Sequence, residues 1–341
     1  MKRILLLLAL LALAACHRIP MYEAESGVYL RLNLALDRNV EIGDNLDLDA
    51  NPALRLKVDG KVPEMVRACI YDAESHELVA EDFLPTEGGF VNIPAGAYDI
   101  VVYGLGTEVT QVEGTQTRAG SYAYTSRTGV KVKVLSTAVK VGDDSGDAGS
   151  AEGGEEEQSV IYEPDHLFVG RIAGAVVPVF PKGGEETVVL ETTMERLVQS
   201  WTLEIRHVEG LERVQGAEVY LIGQAGGRYL WDGRAPGHPA ALSFPVAVDA
   251  GQELLWSVFN TFGSFPAAEN DVFVNLLLTL TSGVKCRVGF DVTDQFLNPD
   301  NTAHRIVIDE PLVVPDAEYG GGGFNPVVDD WDGEEIEIIL R

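Results

Sequence analysis

The run Pro94-Ala95-Gly96-Ala97-Tyr98-Asp99-Ile100-Val101-Val102-Tyr103 decides how this chain reads. Pro and Gly turn the chain, and the residues that follow are apolar at nearly every position. A run of this length and composition predicts a central strand buried on both faces. The neighbouring sequence has the same character. Val28-Tyr29-Leu30-Arg31-Leu32-Asn33-Leu34 alternates, with Val28, Leu30, Leu32 and Leu34 on one side. Leu54-Arg55-Leu56-Lys57-Val58, Val66 to Asp72, Leu78 to Phe83 and Phe90-Val91-Asn92-Ile93 follow, separated by turns at Asp59-Gly60, Glu74-Ser75-His76 and Gly88-Gly89. Short strands between regular turn signals, with no long segment of helical period, predict an all-β chain.

The second half repeats the habit. Strands are expected at Glu186–Leu190, Leu197–Val208, Ala217–Gly223, Ser243–Val248, Glu253–Phe259, Val272–Leu280, Cys286–Val292 and His304–Ile308, enough for a second sandwich. Met194-Glu195-Arg196-Leu197 could open a short helix. The expected layout is a leader over 1–15, an N-terminal sandwich over 16–177, a C-terminal sandwich over 178–318 and a terminal segment over 319–341. Residues 142–158 break the pattern: they are Gly-rich and acidic, with no apolar side chain larger than Ala, and cannot bury enough to offset their ordering entropy. An insertion in the first domain is favoured over a linker. A Ca²⁺ loop is disfavoured because the regular D-x-D-x-D-G spacing is missing.

Lys2-Arg3, the apolar stretch Ile4 to Ala15 and the small residues before Cys16 form a secretory signal ending at a cysteine. The apolar stretch is too short to span roughly 30 Å of hydrocarbon as a helix. Small residues directly before Cys suit a lipoprotein signal peptidase, which predicts a bacterial lipoprotein acylated (a palmitate-type modification) at Cys16. Net charge is −28 over 341 residues, and loss of Lys2 and Arg3 with the signal makes the mature chain more acidic still. That charge repels phosphate backbones and excludes nucleic acid as a partner. It also disfavours docking on anionic lipid through protein charge, leaving membrane attachment to the acyl chains.

Nothing in the chain marks an enzyme. G-x-S-x-G, H-E-x-x-H and a Walker-type loop are all missing from the sequence, the six His are scattered, and carboxylates are too abundant to single out an acid/base pair. No catalytic residue, metal ligand or cofactor is nominated. Cys69 and Cys286 lie in different expected domains and read as separate buried small hydrophobes. Trp201 and Trp256 read as core. Tyr229-Leu230-Trp231-Asp232-Gly233 resembles a hairpin tip, making Tyr229 and Trp231 the candidate ligand contacts, with a glycan as the ligand that stacks on such rings. Tyr319-Gly320-Gly321-Gly322-Gly323-Phe324 is a spacer. Beyond it lie Trp331 and an alternating run with Ile336, Ile338 and Leu340 on one face.

The runs Pro63 to Asp72, Gly88 to Tyr103, Asp291 to Gln295 and His304 to Asp309, with Val328-Asp329-Asp330-Trp331 behind the Gly-rich spacer, resemble the fimbrillin-like lipoproteins of Bacteroidales-type bacteria. The resemblance covers most of the mature chain and extends to a domain family of unknown function related to fimbrial anchoring and minor subunits. It implies two tandem transthyretin-like β-sandwich domains and assembly with fimbrial or adhesin subunits by β-strand complementation. Trp331, Ile336, Ile338 and Leu340 are then the donor-strand candidate; a last strand of the chain's own domain and a tail are the alternatives. Neither Arg31 nor Arg38 is marked as a cleavage site, so a subunit that keeps its lipid at the base of a fibre is expected. His17 to Met21 lack the acidic cluster of surface-exported lipoproteins, which leaves the face of the outer membrane open. The function expected is that of a non-enzymatic, lipid-anchored outer-membrane anchor or accessory subunit of a fimbria-like adhesin. The alternative is a carbohydrate-binding envelope lipoprotein associated with glycan uptake.

Overall fold

Alternation along the chain becomes pairing across it. The structure, a computed structural model, describes residues 27–35, 46, 54, 57, 61–134, 157–179, 187–266, 271–314 and 335–337. The first strands are β1 (Gly27–Leu34), β2 (Met65–Asp72), β3 (Leu78–Pro85), β4 (Gly88–Asn92) and β5 (Gly96–Gly104). Next come β6 (Thr110–Glu113), β7 (Tyr122–Thr125), β8 (Arg127–Lys133), β9 (Glu157–Ile161), β10 (Phe168–Val177) and β11 (Thr187–Arg196). The second half holds β12 (Gln199–Ile205), β13 (Val208–Glu209), β14 (Val214–Gln224), β15 (Gly227–Tyr229), β16 (Ala240–Asp249) and β17 (Leu254–Thr261). The last are β18 (Phe273–Leu280), β19 (Lys285–Asp291), β20 (Arg305–Ile308), β21 (Leu312–Val313) and β22 (Glu335–Glu337). A short helix, α1 (Thr293–Phe296), precedes β20. The chain is all-β.

Seven strands form one sheet in the order β3-β2-β5-β10-β11-β1-β4. It folds over on itself at β11, which runs parallel to β1 from Thr187 to Met194 and then turns antiparallel to β10 at Glu195 and Arg196. The two halves meet around Val28, Leu30 and Leu32 of β1, Val66, Ala68 and Ile70 of β2, Tyr98, Ile100 and Val102 of β5, and Met194 of β11. Gly88 allows β4 to lie beside β1: its φ is +102°, and a Cβ there would sit 1.8 Å from the Leu30 carbonyl oxygen.

A ten-stranded sheet makes the second sandwich, with the path β20-β12-β17-β16-β14-β18-β19-β22 and β8 and β9 joined at β16. Here β16 is the strand that changes partners, pairing with β14 from Ala240 to Val246 and with β17 from Ala247 to Asp249. Leu203, Leu221, Phe244, Phe259, Leu276 and Ile306 are among its core, and Phe244 stacks on Phe259 at 4.4 Å. Glu204 is fully buried on β12, bound by Arg305 at 2.6 Å and Arg206 at 2.8 Å. Two guanidinium groups around one carboxylate offset its desolvation.

Several expectations change. Met194-Glu195-Arg196 ends β11 instead of opening a helix, because Met194 is fully buried in the first core and its neighbours alternate across the strand. The sheets do not divide the chain at 177/178: β11 lies beyond that point yet belongs to the seven-stranded sheet, and β8 and β9 lie before it yet join the ten-stranded one. Glu157 and Gln158, read as the end of the acidic insertion, open β9. Gln158 is buried, and its Oε1 accepts the Gly223 N–H at 3.0 Å. Residues 142–156 lie outside the described residues. Cys69 and Cys286 are separate, buried free thiols, and Trp201 and Trp256 are core, each as expected.

Met194→Ala should therefore cost about 2–5 kcal/mol of unfolding free energy, read from the urea midpoint, because it empties a core site that helps close the first sandwich.

Candidate partner interface and the junction behind it

The two sandwiches meet on the outer face of β2-β5-β10. Cys69, Tyr71, Val101, Tyr103 and Val169 point there and are buried. A three-stranded sheet, β6-β7-β15, lies over them with Val112 and Ala123 turned inward, joined by Leu230 just after β15. This explains why β5 is apolar at almost every position: one face fills the first core and the other fills the junction. Its one carboxylate, Asp99, is buried and held by Arg118 and by the Gly174 N–H at 2.8 Å. The Arg118 guanidinium in turn lies 4.4 Å from the Trp231 ring centroid. Trp231, a candidate ligand contact by sequence, is half-buried here and packs against the junction core.

Backbone carbonyls pin the other side. Arg228 donates to the carbonyls of Phe262 at 2.8 Å, Gly233 at 2.9 Å and Ser264 at 3.0 Å. Asp165 accepts the N–H groups of Glu108, Val109 and Thr110, fixing the loop before β6. Lys57 latches the segment between β1 and β2 to the junction. Its carbonyl receives His166 Nε2 at 2.7 Å and Ser200 Oγ at 3.2 Å, and its ammonium meets Glu163 at 2.6 Å. Beside it opens a cavity of about 650 Å³ with Pro63, Met65, Leu105 and Phe168 among its walls and Lys57 and Lys61 at its lining.

The outer face of the small sheet carries a tyrosine ladder. Tyr122 lies 5.3 Å from Tyr124 and 5.7 Å from Tyr229, centroid to centroid. The Tyr124 hydroxyl, with one proton to donate, has the Glu113 carboxylate and the Gln111 Oε1, the latter at 2.9 Å, as its two acceptors within reach. The Glu113 carboxylate pushes the Tyr124 phenol up to about 12. Tyr229, the other candidate ligand contact, thus has Tyr122 as its neighbour, with Tyr124 next in the row, and the sequence reading missed both. The alternation Tyr122-Ala123-Tyr124 was the available signal, since Ala123 is buried and both rings face outward.

The edge of the ten-stranded sheet is the remaining part of the candidate interface. β22 pairs in parallel with β19, placing Ile336 opposite Cys286. Trp331, Ile338, Leu340 and the lipidation candidate Cys16 lie outside the described residues. Among the described residues no three His, Cys, Asp or Glu side chains are grouped to hold a metal ion.

A family model described as a domain of unknown function, DUF5119, matches residues 55–244. The chain belongs to this family. The DUF5119 match runs from the Lys57 latch into β16, so it takes in most of the junction, with Phe262 and Ser264 lying beyond it. The Bacteroides ovatus protein named "Putative fimbrium anchoring subunit Fim4B" is 22% identical over 273 residues, covering 79% of this chain and 73% of that protein. A crystal structure described as a "putative adhesin" from Bacteroides ovatus superposes with a TM-score of 0.56 at 20% identity, over 87% of this chain and 97% of the other. A second Bacteroides ovatus "putative adhesin" gives 0.50 at 11% identity, over 83% and 88%. These likenesses agree with the family resemblance in the sequence.

Burial pushes His166 below its ordinary value and Glu163 above its own, the latter partly offset by Lys57. The unfolded imidazole takes up a proton near pH 6.5 that the folded one resists, so His166 removes stability as pH falls below that value. The raised Glu163 works in the opposite sense, its contribution being lost as pH rises out of the ordinary Glu range. His304 is also depressed by burial. Between pH 7.5 and 5.5, His166→Gln, which keeps a donor for the Lys57 carbonyl, should shrink the fall in urea midpoint. His166→Gln with His304→Gln should shrink it further, and an unchanged fall in both would show that these imidazoles are not its source.

Proposed function

We propose that this DUF5119 protein is the lipid-anchored outer-membrane subunit of a fimbria-like adhesin, an anchor or accessory subunit built on transthyretin-like sandwiches. Acyl chains on Cys16 hold it to the membrane, and β-strand complementation joins it to its fimbrial partners. The observation that carries the reading is the match, over 79% of the chain, to a relative named for fimbrium anchoring. The secretory signal ending at Cys16 supports the lipid anchor. The edge position of β22 supports the assembly mode. β22 lies at the edge of the ten-stranded sheet, the position at which a strand from another subunit can pair in its place.

Cys16→Ser should move the protein from the membrane fraction to the soluble fraction. In cells cross-linked mildly before extraction, the wild type should recover β-sandwich fimbrial subunits. Deletion of residues 325–341 should abolish that recovery while the purified monomer keeps its unfolding midpoint. A monomer that unfolds on deletion would instead make β22 an indispensable strand of its own sheet.

The tyrosine ladder favours one second reading. Half-exposed rings bordered by Glu113, Gln111 and Arg234 form the kind of platform on which a glycan stacks while its hydroxyls bond planar polar groups. Glycan-dependent change in Trp231 fluorescence, lost in Tyr122→Ala with Tyr229→Ala, would move weight to the carbohydrate-binding lipoprotein.

A further inference from the structure

β19 has two unlike faces and one open edge. Cys286, Val288 and Phe290 are buried in the second core. Lys285, Arg287, Gly289 and Asp291 alternate with them on the outer face. On one side β19 pairs with β18 along its whole length. The β18 residues in the outer rows are Thr279, Leu277, Asn275 and Phe273, none of them charged. On the other side stands β22, in parallel, with Glu335 opposite Lys285, Ile336 opposite Cys286 and Glu337 opposite Arg287. Two acidic residues thus meet two basic ones across the ladder, and the aliphatic residue between them meets a core position. β22 pairs with Lys285, Cys286 and Arg287 alone. Among the described residues, Val288 to Asp291 have no strand on that side.

We propose that this edge of β19 accepts a strand from a partner subunit, and that Lys285, Arg287 and Asp291 select that strand by charge and fix its direction. The inference rests on the strand-complementation reading above and names the acceptor edge and the strand that fits it. That strand runs parallel to β19. It carries acidic residues opposite Lys285 and Arg287, a basic one opposite Asp291, and aliphatic ones opposite Cys286, Val288 and Phe290. The chain's own terminal sequence is the template for this pattern. Counted on from Glu337 in the same register, Ile338, Ile339, Leu340 and Arg341 fall opposite Val288, Gly289, Phe290 and Asp291. Every charge in the outer row of β19 then meets its opposite, and every inner position meets an aliphatic residue. No other placement of the run matches all three charges. Slid by one residue, it turns Glu335 and Glu337 toward the core rows. Reversed over the same span, it sets Arg341 against Lys285 and Glu335 against Asp291. Opposite charges directly across a ladder stabilise it, and like charges destabilise it. An edge whose backbone groups are free is the usual site for an added strand. β22 holds the start of this edge, and a partner strand of the same pattern takes its place, releasing the terminal run to act as donor in turn.

The test begins with the full chain unaltered. A zero-length carbodiimide joins Lys285 only to a carboxylate in contact with it, and peptide mass mapping should find the Lys285–Glu335 link. An N-acetylated, C-amidated peptide of residues 331–341, added in roughly hundredfold excess, should take over that link by mass action. The same peptide carrying Glu335→Lys and Glu337→Lys should not. In the protein with Lys285→Glu and Arg287→Glu, the preference between the two peptides should invert by about tenfold, the reversed peptide now joining through its lysines. Lys285 linked to scattered carboxylates, or both peptides bound equally by both proteins, overturns the charge selection. A Lys285–Glu335 link that neither peptide displaces, even after unfolding in urea and refolding with the peptide present, makes β22 a permanent strand and overturns the acceptor role. In cross-linked cells, recovery of fimbrial subunits should fall in the Lys285→Glu, Arg287→Glu protein. Unchanged recovery there overturns the acceptor role of β19 and leaves the fimbrial-subunit reading standing. No recovery even from the wild type overturns that reading and, with it, the partner named here.

Discussion

The parallel pairing of β1 with β11 is the constraint on which the rest of the structure depends. The two strands stand 160 positions apart and match over eight residue pairs, from Gly27 with Thr187 to Leu34 with Met194. No local turn can make such a pair, so its loop-closure entropy is offset only when the intervening chain has folded. That chain supplies the other half of the first core, two of the three strands of the small sheet and two strands of the second sandwich before it returns. β1 is also held on its other side by five pairs with β4. A chain tethered ahead of Gly27 and pulled along β1 loads both ladders in shear, so many hydrogen bonds resist together instead of opening in turn. A strand clamped in this way is a sound attachment for a tether.

The junction answers a second problem, the joining of two sandwiches without a hinge. An apolar interface alone would be non-directional. Here the apolar layer of Tyr71, Val101, Tyr103 and Leu230 is surrounded by groups that bind in fixed directions: Asp99 with Arg118 and Gly174, Arg228 with three carbonyls, and Asp165 with three successive amides. Each buried charge is taken up by several partners, as a charge must be where desolvation would otherwise dominate. Arg118 does two things, neutralising Asp99 and covering the Trp231 ring. A ring used in this way is half withdrawn from any ligand, while the tyrosines of the small sheet keep their outward faces.

What was legible in the sequence and what was not follow from the range of the interactions. β5 and β18 are apolar at nearly every position because both of their faces are covered, and that pattern is local; β12 and β17 are buried as completely but include Thr202, Glu204, Ser257 and Asn260. The partner of β11 was illegible because alternation marks which side of a strand is buried without saying against which sheet. Met194-Glu195-Arg196 suggested helix because Met, Glu and Arg favour helices, yet burial of Met194 between two halves of a sheet outweighs propensities of a few tenths of a kcal/mol. Gln158 was hidden in an acidic run and is fixed by the Gly223 amide 65 residues away. In the candidate site, Tyr229 was found from a turn pattern, whereas the pairing of β7 with β15 was needed to bring Tyr122 beside it and Tyr124 into the same row.

Charge distribution connects these parts. A net charge of −28 keeps the chain soluble and discourages contact with phosphate-bearing surfaces. A neutral apolar surface on an acidic protein is exposed to association unless something covers it, and the first sandwich sets charges beside its exposed apolar side chains. Arg31 and Glu191 pair one outward-facing row along from Tyr29 and Val189, and Arg67 pairs with Glu81. Phe83, an exposed ring of that sandwich, has the Arg67 guanidinium 5.9 Å from its centroid. Charges interleaved with exposed rings in this way leave hydrogen-bonded strand edges, more than bare apolar faces, as the places where a partner can gain from contact.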